Sequence, residues 1–206
     1  MTFPTRSQAL SLYENIFVLR NSSVKPFVGN QEQTLRAHSL AVANIAEKIA
    51  SVVPNMNKDK AYVLGLLHDC GRIKDEITEN CFHGYVGFQY MMSINHPEIA
   101  RISLTHTFYE KNFDASTYPQ DSEQLEKCRS YLREIEYNDY DLLIQLSDIL
   151  NDMGKICTIK TRFSGIVQRY GLDSEVVKPH IKRLHEIKAY FDKKAGCDIY
   201  CLLGIE

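Results

Sequence analysis

Four histidines and two aspartates carry the chemistry available to this sequence: His38, His68, Asp69, His83, His106 and Asp148. Imidazole nitrogen and carboxylate oxygen together suit Fe, Mn, Zn, Co or Ni, and no thiolate is needed. His38 lies three residues after Leu35 and four before Val42, on the apolar stripe of an expected helix. A lone histidine on such a face is more often a satisfied core residue than a ligand. The pair His68-Asp69 ends the apolar run Tyr62-Val63-Leu64-Gly65-Leu66-Leu67, so both side chains emerge where a buried helix stops. An ionised carboxylate there is costly unless it is paired or bound to a cation.

His83 precedes Val86, Gly87 and Tyr90 and faces inward on a helix, where Gly84 and Gly87 admit a second backbone or a ligand. His106 shares a face with Ile99, Ile102 and Ser103. Asp148 follows Ile144 by four residues in a very apolar helix, and a buried carboxylate needs a partner. Each residue has a bland explanation. Together, six inward ligand-type side chains favour a pocket for one or two divalent metal ions. Arg72 and Lys74 stand three and five residues beyond Asp69, close enough to meet a phosphate held there.

The elements that must bring these residues together are helices, because apolar residues recur at helical spacing and strand-like alternation is almost absent. Helices are expected near Ser7–Leu19, Gln31–Val53, Asp59–His68, His83–Ser93 and Pro97–Thr107. Four more follow at Ser122–Glu136, Tyr140–Asn151, Lys160–Tyr170 and Ser174–Lys194. Gly71, Gly171 and Gly196 read as helix stops. Residues 74–81 read as a connecting loop, and residues 111–120 as the longest surface loop, able to cap a pocket after His106. The expectation is an all-α globule of about nine helices and one domain over 1–206. The motif-bearing core is 31–152, with the helices of 160–206 packed on it.

The segments Arg36-Ala37-His38-Ser39, Leu67-His68-Asp69-Cys70-Gly71-Arg72, His83-Gly84-Tyr85-Val86-Gly87, Leu104-Thr105-His106 and Leu146-Ser147-Asp148 form one ordered set. This order resembles the HD-domain superfamily of metal-dependent phosphohydrolases. The resemblance implies that His38, His68, Asp69 and Asp148 bind a first metal ion. Asp69 would bridge to a second held by His83 and His106. The set is similar to the two-metal members, among them the bacterial symmetrical diadenosine tetraphosphate hydrolases. The Gly-Tyr-Pro signature of the cyclic-di-GMP phosphodiesterase branch is missing, and His106 stands alone where that branch often has adjacent histidines, so that substrate is not expected.

The reaction implied is hydrolysis of a phosphoester or phosphoanhydride of a nucleotide or other small phosphorylated metabolite by metal-activated hydroxide. Asp69, Arg72 and Lys74 would serve at the reacting centre. Fe, Mn, Ni, Co, Zn and Mg all fit as the ion. Two other chemistries share the ligand set: a mixed-valent di-iron oxygenase, and a non-enzymatic nucleotide-sensing domain.

Composition narrows the partners. The net charge of -2 offers no general basic surface for nucleic acid. No apolar run is long enough to span a membrane. The N-terminal residues MTFPTRSQAL lack a basic segment followed by an apolar one, so a cytoplasmic protein with reduced thiols is expected. A dimer is compatible with the sequence. The aromatics Tyr109, Phe113 and Tyr118 are candidates for lining a pocket lip. His180 and His185 fall on a helix with Lys178, Lys182, Arg183 and Lys188 that reads as a solvated face.

Overall fold

A computed structural model describes residues 3–23, 27–74, 82–109 and 123–205. The chain runs α1 (Arg6–Ser23), α2 (Gln31–Ala50), α3 (Lys58–Leu67), α4 (Cys70–Lys74), α5 (His83–Ser93) and α6 (Pro97–Thr105). Then come α7 (Glu123–Glu134), α8 (Asp139–Ile149), β1 (Asn151–Asp152), β2 (Lys155–Ile156), α9 (Ile159–Tyr170), α10 (Ser174–Ala195) and α11 (Ile199–Leu203). The expected all-α class holds. Loop 111–120, Phe113, Tyr118 and Cys81 lie outside the described residues, as does the side chain of Lys74.

Two short helices and a hairpin were not expected. Gly71 does not stop a helix: it sits inside α4, one turn that begins directly after His68-Asp69. The hairpin β1–β2 pairs Asn151 with Ile156 and Asp152 with Lys155. Its two-residue loop, Met153-Gly154, has φ of 51° and 89°. Positive φ at both central residues gives a turn whose twist matches the flanking strands.

Local signals set most helix ends. Asn57 accepts a hydrogen bond from the Lys60 amide at the start of α3. Asn138 and Asp141 form a reciprocal capping box at α8. Gly171 and Gly196 close α9 and α10 in the left-handed conformation, as expected.

The core is built on α2 and α3, which nearly touch. A Cβ at Gly65 would lie 2.8 Å from Cα of Ala43. Ala43, Ile45, Ala46 and Ile49 of α2 join Tyr62, Val63, Leu64, Leu66 and Leu67 of α3 in one buried cluster. The same cluster takes in Leu143, Ile144 and Leu146 of α8, Phe163 of α9, Leu184 and Phe191 of α10, and Leu203 of α11. The last three helices are thus packed onto the motif-bearing part. Lys188 belongs to this packing rather than to a solvated face. It is buried, holds Asp192 and Asp198 at 2.8 and 2.6 Å, and lies over the Tyr200 ring. Among the described residues, no helix is long and apolar enough to cross a membrane.

Candidate metal centre

The six sequence-selected residues converge. His38 comes from the buried face of α2. His68 and Asp69 occupy the turn between α3 and α4. His83 opens α5, His106 closes α6, and Asp148 lies in the last turn of α8.

Asp69 is the hinge of the arrangement. Its Oδ2 lies 3.7 Å from His38 Nε2 and 3.9 Å from His68 Nε2. Its Oδ1 lies 3.2 Å from His83 Nε2 and 3.4 Å from His106 Nε2. Asp148 Oδ1 completes the first side, 3.1 Å from His38 Nε2 and 3.8 Å from His68 Nε2. His38, His68 and Asp148 form one group able to hold a cation, and His68, Asp69 and His106 form another. His83 stands with the second, its Nε2 3.3 Å from that of His106.

Helix packing explains the convergence. Gly71 lets α4 lie against the start of α5, since a Cβ there would sit 1.9 Å from the His83 carbonyl oxygen. Gly87 presses on Cys70 and Ser103, and Gly84 on the Ser103 carbonyl. The close approach expected at Gly84 and Gly87 is therefore made by neighbouring helices. On α8, Asp141, Gln145 and Asp148 share one face at spacings of four and three. Asp141 is fully buried and takes hydrogen bonds from Thr105 Oγ1 and Arg101 Nε at 2.8 and 3.0 Å. Gln145 Nε2 donates to the carbonyls of Thr105 and Phe108 at 2.9 and 3.0 Å. The chain on both sides of His106 is thereby fastened to the helix that carries Asp148.

The outer nitrogens of the imidazoles are also held. His68 Nδ1 lies 2.7 Å from the Gly65 carbonyl oxygen, and His106 Nδ1 3.2 Å from that of Ile102. A carbonyl accepts, so each Nδ1 carries the hydrogen and each Nε2 presents a lone pair inward. His38 Nε2 and His68 Nε2 are only 3.3 Å apart. Asn151 Nδ2 can only donate to His38 Nδ1, so the hydrogen of the metal-free His38 sits on Nε2, between the two rings, where a cation would replace it. Asp69 Oδ1 is buried and lacks a hydrogen-bond partner among the described residues. An orphaned carboxylate oxygen beside inward-facing imidazoles fits a divalent cation.

The electrostatics agree. Burial pushes His68 down to about 4, so it is neutral and ligand-competent near pH 7. Burial and then the Arg72 guanidinium push His83 down as well. For Asp69, burial works upward, but Arg72, His83 and His68 outweigh it and hold the carboxyl well below its usual range. Asp148 is lowered likewise, with burial opposed chiefly by His38. His106 is raised: burial opposes the proton, but Asp69 retains it.

Arg72 is the nearest cationic side chain, its Nε 2.9 Å from Asp69 Oδ2. Arg20 holds that turn from below by donating to the carbonyls of Arg72 and Ile73, each at 3.2 Å. The cluster opens into a cavity of about 620 Å³. Its walls include Leu35, Arg72 and Tyr109, and from α9 Arg162, Phe163, Ile166 and Arg169. His180 lines it too, edge-on to Tyr109 with ring centroids 5.6 Å apart, so it is not part of a solvated face; His185 is.

Sequence reasoning missed Asn151. Its amide nitrogen lies 2.8 Å from His38 Nδ1 and 3.2 Å from the His38 carbonyl, while its Oδ1 accepts from the Gly154 amide at 2.8 Å. A polar residue in a hairpin too short to show alternation gives no signal. Arg162 and Arg169 were not singled out either, since two charges on an amphipathic helix carry no signal of the cavity they line.

Comparison with known proteins agrees with the geometry. The HD domain family model matches residues 35–153. Ribonuclease Y of Mycoplasmoides gallisepticum (strain R(low / passage 15 / clone 2)) is 38% identical over 73 residues, covering 32% of this chain and 12% of that protein. The chain thus spans a small fraction of that relative's length. No solved structure matches. With more than half its length matched and the ordered histidines and aspartates gathered in one pocket, the chain belongs to the HD domain family.

Proposed function

We propose that the protein is a metal-dependent phosphohydrolase acting on a nucleotide or another small phosphorylated metabolite. One observation carries the reading: the two oxygens of Asp69 face opposite histidine pairs, His38 and His68 on one side and His83 and His106 on the other. His38, His68, Asp69 and Asp148 would hold one divalent ion, and Asp69, His83 and His106 a second, with residues 1–206 acting as one unit. Fe, Mn, Ni, Co, Zn and Mg all fit the donor atoms. Such ions supply Lewis acidity toward phosphoryl oxygen and make hydroxide available near neutral pH.

The chain's own residues do the rest. Arg72 fixes the bridging carboxylate through Nε and turns its remaining N–H groups to the cavity, where a phosphoryl oxygen can accept them. The carbonyls of Gly65 and Ile102 keep His68 and His106 in the tautomer that presents Nε2. Leu35, Phe163 and Ile166 exclude water from one wall and give a nucleoside or similar body an apolar surface. Lys74 is assigned to the phosphate from sequence alone.

The test is a screen of the purified protein with Mn, Fe, Ni, Co or Mg against nucleotides, dinucleoside polyphosphates and p-nitrophenyl phosphate. Phosphate release is expected with at least one ion, and Asp69→Ala should abolish it and lower the bound metal. Absence of release from every compound by metal-loaded protein would overturn the reading. Turnover only in the presence of oxygen and iron would replace it with oxygenase chemistry.

A further inference from the structure

The cavity has a second cationic region that the reacting phosphoryl group does not need. Arg162 and Arg169 stand seven residues apart on α9, with Ile166 between them on the same stripe, and all three line the cavity. Both guanidinium groups converge on one carboxylate. Arg162 Nη1 lies 2.5 Å and Arg169 Nη1 3.0 Å from the same oxygen, Asp152 Oδ1. Two cations against one anion leave a surplus positive charge on the wall. Arg162 Nε is buried and has no hydrogen-bond partner among the described residues. A desolvated donor left without an acceptor is unfavourable, so the ion pair with Asp152 does not satisfy this guanidinium completely. The wall around it is apolar, with Leu35, Phe163, Leu172 and Val177, so a charge brought there is weakly screened.

Arg72 does not belong to this pair. It is bound to Asp69, on the metal side. In the hairpin, Asn151 turns its side chain toward His38, whereas Asp152, the next residue of the strand, turns the other way toward α9. The cavity therefore has two anion-attracting groups on different elements, Arg72 of α4 beside Asp69 and the pair of α9 beside Asp152, with the apolar side chains of Leu35, Phe163 and Ile166 also in its lining.

We infer that Arg162 and Arg169 form a second anion subsite, and that the substrate carries a further phosphate at the end of the molecule that is not hydrolysed. The class is a compound with two separate phosphate groups and an apolar or planar body between them, such as a nucleoside 3′,5′-bisphosphate. The inference rests on the phosphohydrolase reading for the identity of the reacting end. Arg162 and Arg169 select substrate; they do not touch the reacting atoms.

The experiment compares wild type with Arg162→Met, Arg169→Met and Asp152→Asn, all metal-loaded. Singly phosphorylated probes are adenosine 5′-monophosphate and p-nitrophenyl phosphate. The probe with two separate phosphates is adenosine 3′,5′-bisphosphate, and adenosine 5′-diphosphate, whose phosphates are contiguous, controls for added charge. Hydrolysis and calorimetric binding are both measured. Wild type should prefer the 3′,5′-bisphosphate, and each arginine variant should lose about tenfold of that preference while the other probes change little. Asp152→Asn frees both guanidinium groups and should raise affinity for the same probe, whereas a purely structural ion pair would lower it. A wild type without preference, or arginine variants that affect all probes alike, would overturn the subsite. If nothing is hydrolysed but the binding preference and its loss are seen, the subsite stands and the phosphohydrolase reading falls.

Discussion

Replacing Gly71 by alanine puts a methyl carbon 1.9 Å from the carbonyl oxygen of His83. Real Cβ atoms essentially never come within 3.0 Å of such an atom, so α4 and α5 must part by at least 1.1 Å. The displacement cannot spread along α5, because Gly84 and Gly87 are wedged against α6 and Cys70. It falls on the first residue of the helix, which is His83. Metal–ligand bonds tolerate roughly 0.2 Å. On the proposed two-metal reading, His83 would then leave the coordination sphere beside Asp69 Oδ1, while His38, His68 and Asp148 stay in place. Overpacking of this kind costs about 1–3 kcal/mol of stability, and misplacement of about 1 Å at a reacting centre costs on the order of 100-fold in rate. Elemental analysis of bound metal, thermal melting and phosphate release measure the three effects together. The expected result is a folded protein with a lowered melting temperature, weakened binding at the His83 side and about 100-fold lower activity. Gly165→Ala is the control for stability alone, read by thermal melting: its methyl would meet Asp152 Oδ2 and Arg169 Nη2 at 3.4 and 3.5 Å, and helix propensity favours alanine by about 0.5–1 kcal/mol. A Gly71→Ala protein with wild-type metal content and turnover would refute the claim that this helix crossing positions His83.

Other perturbations probe single links. Asn151→Ala removes the side chain that orients His38, and metal affinity should fall about 10–100-fold in a metal titration; unchanged affinity would make Asn151 a hairpin residue only. Cys70→Ala should leave metal content and activity intact, because the thiol is buried, 3.4 Å from Ser103 Oγ, and pushed up to about 12; loss of metal on substitution would bring Cys70 into the site. In chelator, the metal-free protein should lose stability as pH falls from 6.5 toward 4. The unfolded chain protonates His68 across that window while the folded chain, with His68 near 4, does not. His83 acts in the same sense and His106, raised, in the opposite one. Denaturant midpoints at several pH values measure the balance, and a midpoint that rises on acidification would count against a neutral His68.

The ligand-type residues were legible because each breaks a local rule. His38 interrupts an apolar stripe, and His68-Asp69 puts charge where a buried helix ends; a buried cation resolves both conflicts. Helix positions were legible for similar reasons, since Asn57, Asn138, Gly171 and Gly196 mark ends by their own chemistry. Gly71 was misread because a glycine after an apolar helix suits a cap as well as a close crossing, and only the position of α5 separates the two. Asn151, Arg101 and Arg162 were illegible. Their roles depend on partners 113, 40 and 10 residues away, and no local pattern encodes such distances. Lys188 shows the same limit, because a lysine paired inside a helical core looks like any surface lysine until its two aspartates are seen.

The hairpin 151–156 has a further consequence. Gly154 packs against Ala37, one residue from His38, and Asp152 grips α9 through Arg162. One short turn therefore ties the wall of the cavity to the helix that supplies the first imidazole. A wall anchored in this way is set before any ligand arrives and does not have to swing shut around it. Among the described walls, this one should accordingly contribute no closing step to the rate of ligand capture.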